Sequence, residues 1–186
     1  SDIQAGLESA FKFDNQILCE EFVPLGRELR IGAIEDENGN IRVLPCMEYH
    51  LPKEKPIRAS TDKLTEDQKG LPSGFAKTVT SCPAKVDSDL QKKLESMVVK
   101  AHKALGCRDY SLYDVRVSPE GEAYFLEAGL YCSFSPRSIV VNLCRATGDP
   151  DLSYHSLFRM LVKRAAARKE DPANAETQTL GMMKRR

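Results

Sequence analysis

The chain has 186 residues, 41% of them hydrophobic, and its 27 Lys and Arg residues are balanced by 27 Asp and Glu residues. This length suits one domain with its own core. The balanced charge gives no long-range attraction for nucleic acid or an anionic membrane, so neither is an expected partner. No hydrophobic run approaches the roughly 20 residues of a membrane span. No signal peptide opens the sequence, so we expect a cytoplasmic protein, and the absent initiator Met suggests a piece of a longer one.

The cysteines show no arrangement that predicts a metal centre or a disulfide framework. None forms a Cys-x-x-Cys pair or has a His at ligand spacing, so a structural zinc site is not expected. A chain of this length does not need disulfides for stability, and we expect reduced thiols. The six residues are Cys19, Cys46, Cys82, Cys107, Cys132 and Cys144.

The N-terminal part of the chain is predicted to start with an amphipathic helix over residues 2–13, because hydrophobic residues recur there at spacings of three and four. A strand is predicted over residues 17–22. Two more, over residues 28–34 and 41–47, flank a turn with Asn38-Gly39 at its centre, which is typical of a β-hairpin.

Residues 52–81 lose all periodicity and are rich in Lys, Asp, Pro and Ser. An irregular stretch of this length is either a functional lid or a mobile surface loop, and the pattern leaves both open.

The C-terminal part is predicted to begin with a helix whose start, residues 88–91, has capping-box spacing and which ends at Gly106. Strands over residues 110–117 and 123–127 follow, then a helix that ends near Ala165 and a polar tail over residues 166–186. Strands joined by hairpins and followed by helices predict an α+β fold with a mostly antiparallel sheet.

The hairpin of residues 110–127 carries two acids that alternation places on one face of the sheet. If residues 118–121 form its loop, Asp114 faces Phe125 and is the diagonal neighbour of Glu127. A register shifted by two residues would place the two acids directly opposite each other. Such close carboxylates repel unless a cation lies between them, and hard oxygen ligands suit Mg²⁺. The alternative is an exposed sheet face on which two acids happen to align.

Two other segments carry candidate binding groups. The predicted strand over residues 17–23 ends in the acidic pair Glu20-Glu21, with Glu28 a short turn later, and could hold adenine and ribose; acidic strand ends are also commonly just solvated. Residues 133–138, SFSPRS, could bind a carboxylate or phosphate at a helix start, or be a capped turn. No His lies near a Ser and Asp arrangement that suggests a catalytic triad.

Together these segments resemble the C-terminal half of an ATP-grasp enzyme of the D-alanine–D-alanine ligase family. The resemblance covers residues 1–165 and rests on ILCEEFVPLGREL, on SLYDVRV with AYFLEAG, and on SFSPRSI, in that order. It implies an ATP-grasp C-terminal lobe with a closing loop at residues 52–81 and a flexible tail over residues 166–186. We expect a divergent, eukaryotic branch of the family.

The resemblance also implies roles for individual residues. They comprise two Mg²⁺ ligands, an ATP-binding segment, a group that binds the substrate carboxylate, and two catalytic cations. The Mg²⁺ ligands are Asp114 and Glu127. The ATP-binding residues are Glu20, Glu21, Phe22 and Val23, which contact adenine, and Glu28, which binds ribose. Ser138 binds the substrate carboxylate, and the catalytic cations are Arg116 and Arg137.

The implied activity is ATP-dependent joining of a small carboxylate to an amine, both of them amino acids, through an acyl phosphate, in a protein that forms a homodimer. The chain departs from the family at Gly129, where Asn is usual, at Leu112, where Arg is usual, and at Ser133, where Gly is usual. The Lys and Tyr of the closing loop have only Lys69 and Lys77 as counterparts. The alternatives are a nucleotide-binding pseudoenzyme or scaffold, favoured by Gly129 and Leu112, and a phosphotransferase or other ATP-grasp activity.

Overall fold

The computed structural model describes residues 2–57, 79–129 and 133–170. In chain order, its helices and strands are α1 (Asp2–Ala10), β1 (Arg27–Glu35), β2 (Ile41–Val43), β3 (Met47–His50), β4 (Val79–Ser81), α2 (Ser88–Ala104), β5 (Tyr110–Val117), β6 (Ala123–Gly129), α3 (Ile139–Ala146), a short 3₁₀ helix (Pro150–Leu152) and α4 (Tyr154–Glu170).

The strands form one sheet in the order β4-β3-β1-β5-β6, with β2 also paired to β1. Every pairing among the described strands is antiparallel, which confirms the predicted α+β class. The predicted hairpin turn joins β1 to β2. There the Asp36 carboxylate accepts hydrogen bonds from the backbone N–H groups of Asn38 and Asn40, and Gly39 adopts a φ of 82° that favours glycine.

One face of the sheet is covered by α2. Leu29, Ile31 and Ala33 alternate along β1 toward this face and belong to a buried cluster that includes Leu94 and Val98 of α2. The helix begins at the predicted place, but the N-cap is Asp87 and not Ser88. The Asp87 carboxylate accepts hydrogen bonds from two backbone N–H groups of the first turn, which satisfies donors that the helix leaves unpaired.

The opposite face is covered only in part by α3 and α4. Ile34 and Leu112, on β1 and β5, belong to a second buried cluster with Val140, Val141 and Leu157 of the two helices. Farther along β1 and β5, the same face carries charged side chains, among them Glu28 and Arg116 of one paired row. The candidate site lies at this end of the sheet.

Three predicted elements in the N-terminal part of the chain differ from the structure. Residues 17–22 form no strand: they pair with none of the described strands, and Leu18 stays 81% exposed. The first helix ends at Ala10. The predicted strand over residues 41–47 is divided into β2 and β3 around Pro45, which has no N–H to donate to a neighbouring strand.

The last helix continues beyond residue 165, where the predicted lobe ends. α4 extends to Glu170, and Arg168 forms two hydrogen bonds of 2.6 Å with the Asp109 carboxylate. Residues 171–186 of the predicted tail and most of the predicted closing loop, 58–78, lie outside the described residues. In the described ranges, no helix has the length and hydrophobicity needed to cross a membrane.

Candidate functional site

The centre of the sheet places three charged residues in one row across β1, β5 and β6. Arg30 pairs with Asp114, and Asp114 pairs with Glu127. A bulge between Asp114 and Val115 shifts the register of the hairpin, so the two carboxylates stand directly opposite each other. The predicted shared face is confirmed; the first predicted register, with Asp114 facing Phe125, is wrong.

Arg30 binds Asp114 through two parallel hydrogen bonds, from Nε to Oδ1 and from Nη2 to Oδ2. The side chains of both residues are largely buried, with 15% and 17% exposed. Burial opposes the charge of Arg30, but the hydrogen bonds and charge of Asp114, together with Tyr49 and Glu127, outweigh it and raise the pKa of Arg30. The sequence prediction missed Arg30, because in an alternating strand an arginine between the core residues Leu29 and Ile31 points to the opposite face and is typical of an exposed side chain.

The neighbouring row pairs Glu28 with Arg116. Arg116 is 5% exposed, and its guanidinium donates to the Glu28 carboxylate at 2.9 Å and to the carbonyls of Val23 at 3.2 Å and Pro56 at 2.8 Å. The same group lies over the Phe22 ring, 5.5 Å from its centroid. Arg116 therefore holds two segments without regular structure against the sheet. These contacts limit the freedom of the Arg116 side chain to move toward a ligand.

A pocket of about 440 Å³ opens between the segment of residues 20–23 and the β5–β6 hairpin. It brings together both predicted metal ligands, all five predicted ATP-binding residues and Arg116. Five carboxylates and one guanidinium are in its lining, so a polyanion meets repulsion there unless it brings cations with it. The lining residues are Glu20, Glu21, Phe22, Val23, Glu28, Ile57, Asp114, Arg116, Leu126 and Glu127.

The donor chemistry of the pocket suits a hard divalent cation that arrives with part of its own ligand shell. Asp114 and Glu127 offer carboxylate oxygens across one strand pair, while Gly129 offers no side-chain ligand. Among the described residues, no group of three or more His, Cys, Asp or Glu side chains could hold a metal ion. Two carboxylates fit Mg²⁺ when phosphate oxygens and water complete its octahedron.

Ser138 and Arg137 lie at the start of α3, and neither is in the pocket lining described above. Ser138 is the N-cap residue, is 8% exposed, and its Oγ has no hydrogen-bond partner among the described residues. Arg137 is exposed, and its carbonyl accepts a hydrogen bond from the Asn142 side chain. Lys69 and Lys77 lie outside the described part of the chain.

Residues 1–163 match the family model described as D-ala D-ala ligase C-terminus. The chain belongs to this family. Its D-alanine–D-alanine ligase relatives include that of Geotalea uraniireducens, 29% identical over 89% of the chain and 47% of the relative, and that of Geobacter sulfurreducens, 32% identical over 68% of the chain and 34% of the relative. The chain thus spans about half the length of such relatives, or less.

Solved structures of the family share the fold. The VanG D-Ala:D-Ser ligase from Enterococcus faecalis is 21% identical, with a TM-score of 0.66 over 88% of this chain and 43% of the ligase. The D-alanine–D-alanine ligase from Bacillus anthracis complexed with ATP is 20% identical, with a TM-score of 0.66 over 91% of this chain and 48% of the ligase. These likenesses bear out the mostly antiparallel ATP-grasp lobe that the sequence predicts.

Proposed function

We propose that this chain is the nucleotide-binding lobe of an ATP- and Mg²⁺-dependent ligase that joins a carboxylate to an amine, with amino acids as substrates. The observation that carries the proposal is the direct opposition of Asp114 and Glu127 in a pocket lined by residues 20–23. Relatives named D-alanine–D-alanine ligase, and a similar structure described as complexed with ATP, support it.

Asp114 and Glu127 would hold Mg²⁺, which supplies positive charge to the phosphate oxygens when bound. Residues 20–23 would contact adenine at the mouth of the pocket. Glu28 would accept a hydrogen bond from a ribose hydroxyl, because its carboxylate keeps free lone pairs after the one hydrogen bond from Arg116. Arg116 acts here as a positioning residue, since its guanidinium holds Glu28 and the carbonyl of Val23.

In the proposed reaction, an oxygen of the substrate carboxylate attacks the γ-phosphorus of ATP and ADP leaves. The amine of the second substrate then attacks the carbonyl carbon of the acyl phosphate, phosphate leaves, and the nitrogen loses its proton. Positioning and electrostatic stabilisation contribute most of the catalysis in such a transfer. Ser138 would bind the carboxylate of the second substrate, and Arg137 beside it would stabilise the developing negative charge.

Asp114→Asn tests the metal site in the full-length protein. The variant should lose Mg²⁺-dependent ATP binding in calorimetry, because an amide cannot replace the charge of the carboxylate. Glu48→Gln is the matched control, since Glu48 is an acid of the same sheet that pairs with Arg27 and lies outside the pocket lining. Unchanged Mg-ATP affinity in Asp114→Asn would refute the proposed metal site.

ADP release with Mg-ATP and a panel of D- and L-amino acids tests turnover. Release that depends on one or two amino acids would establish the ligase and its substrate class. ATP binding with ADP release at background would instead support a nucleotide-binding protein that has lost catalysis, in line with Leu112 and Gly129.

A further inference from the structure

The proposed metal site already contains a cation that belongs to the chain. We propose that Arg30 is a resident cation of this site: its guanidinium holds Asp114 until a nucleotide-bound divalent ion displaces it. The protein then takes up the metal together with the nucleotide and binds the free metal weakly. This inference rests on the proposed function.

The first support is geometric. The guanidinium engages both oxygens of the Asp114 carboxylate, one through Nε and the other through Nη2. The two hydrogen bonds use one lone pair on each oxygen, so a metal that approaches from the side of Arg30 must displace the guanidinium, and a metal that approaches from the other side shares the charge of the same carboxylate with it. Arg30 and the metal therefore compete for Asp114.

The second support is the charge of the row. Arg30, Asp114 and Glu127 together carry one net negative charge, whereas the two acids alone would carry two. The guanidinium thus halves the negative charge that attracts a free divalent ion and adds a fixed positive charge that repels it. At the low effective dielectric of a partly buried site, such differences are much larger than in water.

The third support is the surroundings of Arg30, which favour a paired guanidinium. Its side chain is 15% exposed and its guanidinium lies 6.0 Å from the centroid of the Tyr49 ring. A buried guanidinium that leaves its carboxylate needs another anion, because an unpaired buried charge is costly. The phosphates of an incoming nucleotide are such an anion, so displacement is more favourable when metal and nucleotide arrive together than when the metal arrives alone.

The residues around the row agree with this inference. Gly129 offers no side-chain oxygen to the site, and Leu112 is 3% exposed in the cluster beneath α3. Leu112 and Arg30 project from the same face of the sheet in adjacent rows. Arg30 is therefore a cation on the face of the sheet that carries both proposed metal ligands.

The test is Mn²⁺ binding to the full-length protein without nucleotide, followed through the electron paramagnetic resonance signal of the free ion. Arg30→Gln should bind Mn²⁺ about tenfold more tightly than the wild type, which corresponds to roughly 1.4 kcal/mol. Arg27→Gln is the matched control: it removes another two-bond arginine–carboxylate pair of the same strand, to Glu48, and should leave Mn²⁺ affinity unchanged. The double variant Arg30→Gln/Asp114→Asn should lose the gain, because the added affinity passes through Asp114.

The outcomes separate this inference from the proposed function. Unchanged or weaker Mn²⁺ binding in Arg30→Gln, with Mg-ATP binding still lost in Asp114→Asn, would overturn the inference and leave the proposed function standing. Mg-ATP binding that survives Asp114→Asn would refute the metal site itself. If Arg30→Gln does not fold, Arg30→Lys keeps the charge but loses the two-bond geometry. It should show a smaller gain in Mn²⁺ affinity, and no gain in the folded Lys variant would overturn the inference.

Discussion

The Arg116–Glu28 pair allows the construction of the candidate site to be tested without any ligand. Arg116→Met keeps most of the side-chain volume but removes the partner of a carboxylate that is only 13% exposed. It also removes the donors that reach the carbonyls of Val23 and Pro56. Because an uncompensated charge is left partly buried, we expect the free energy of unfolding to fall by about 3–5 kcal/mol.

Glu28→Gln should cost less, roughly 1–3 kcal/mol, because the guanidinium keeps its two carbonyl acceptors and gains a neutral amide oxygen. The double variant Arg116→Met/Glu28→Gln should lose less unfolding free energy than the two single variants lose together, since it leaves no unpaired carboxylate. Urea denaturation of the four proteins at pH 7 measures this coupling.

Lys93→Met is the comparison for an exposed pair. Lys93 and Glu122 form an ion pair of 2.9 Å with 49% and 62% of their side chains exposed, and such pairs contribute about 0–1 kcal/mol. A coupling between Arg116 and Glu28 no larger than this would contradict the prediction, because it would show that water reaches the pair freely.

Two other predictions concern how the sheet is held together. Gly26→Ala should destabilise the protein by roughly 1–3 kcal/mol, because the added Cβ would stand 2.5 Å from the carbonyl oxygen of Ser118, a backbone atom that cannot rotate away. An unfolding free energy within about 0.5 kcal/mol of the wild type would contradict this prediction. The hydrogen bond from Arg27 lowers the pKa of Glu48, so the stabilisation from this pair is present above the usual Glu pKa of about 4.3 and is lost as pH falls through the folded-state value. Glu48→Gln should therefore lower the urea midpoint at pH 7 more than at pH 3, whereas an equal difference at both pH values would argue against the assignment.

The elements that sequence periodicity predicted well are those whose burial pattern is set locally. α2 and β5 carry regular hydrophobic patterns, and the β1–β2 turn follows from Asn38-Gly39, so these elements are confirmed within a few residues. Residues 17–22 have the composition of a strand but lack a strand neighbour. Strand formation depends on a partner as well as on composition, and this segment pairs with none of the strands in the described sheet.

The candidate site shows which contacts the sequence does not specify. Alternation keeps Asp114 and Glu127 on one face when the register shifts by two residues, so the sequence predicts their shared face. It does not predict the bulge that sets their register. Arg30 lies 84 residues before Asp114, and no turn links their strands, so nothing local specifies that they pair. Two facing carboxylates require a cation, and the sequence interpretation sought it outside the chain. Because β1 supplies one from within, we expect the metal affinity of the proposed site to depend on a neighbouring strand as much as on the hairpin that carries the proposed ligands.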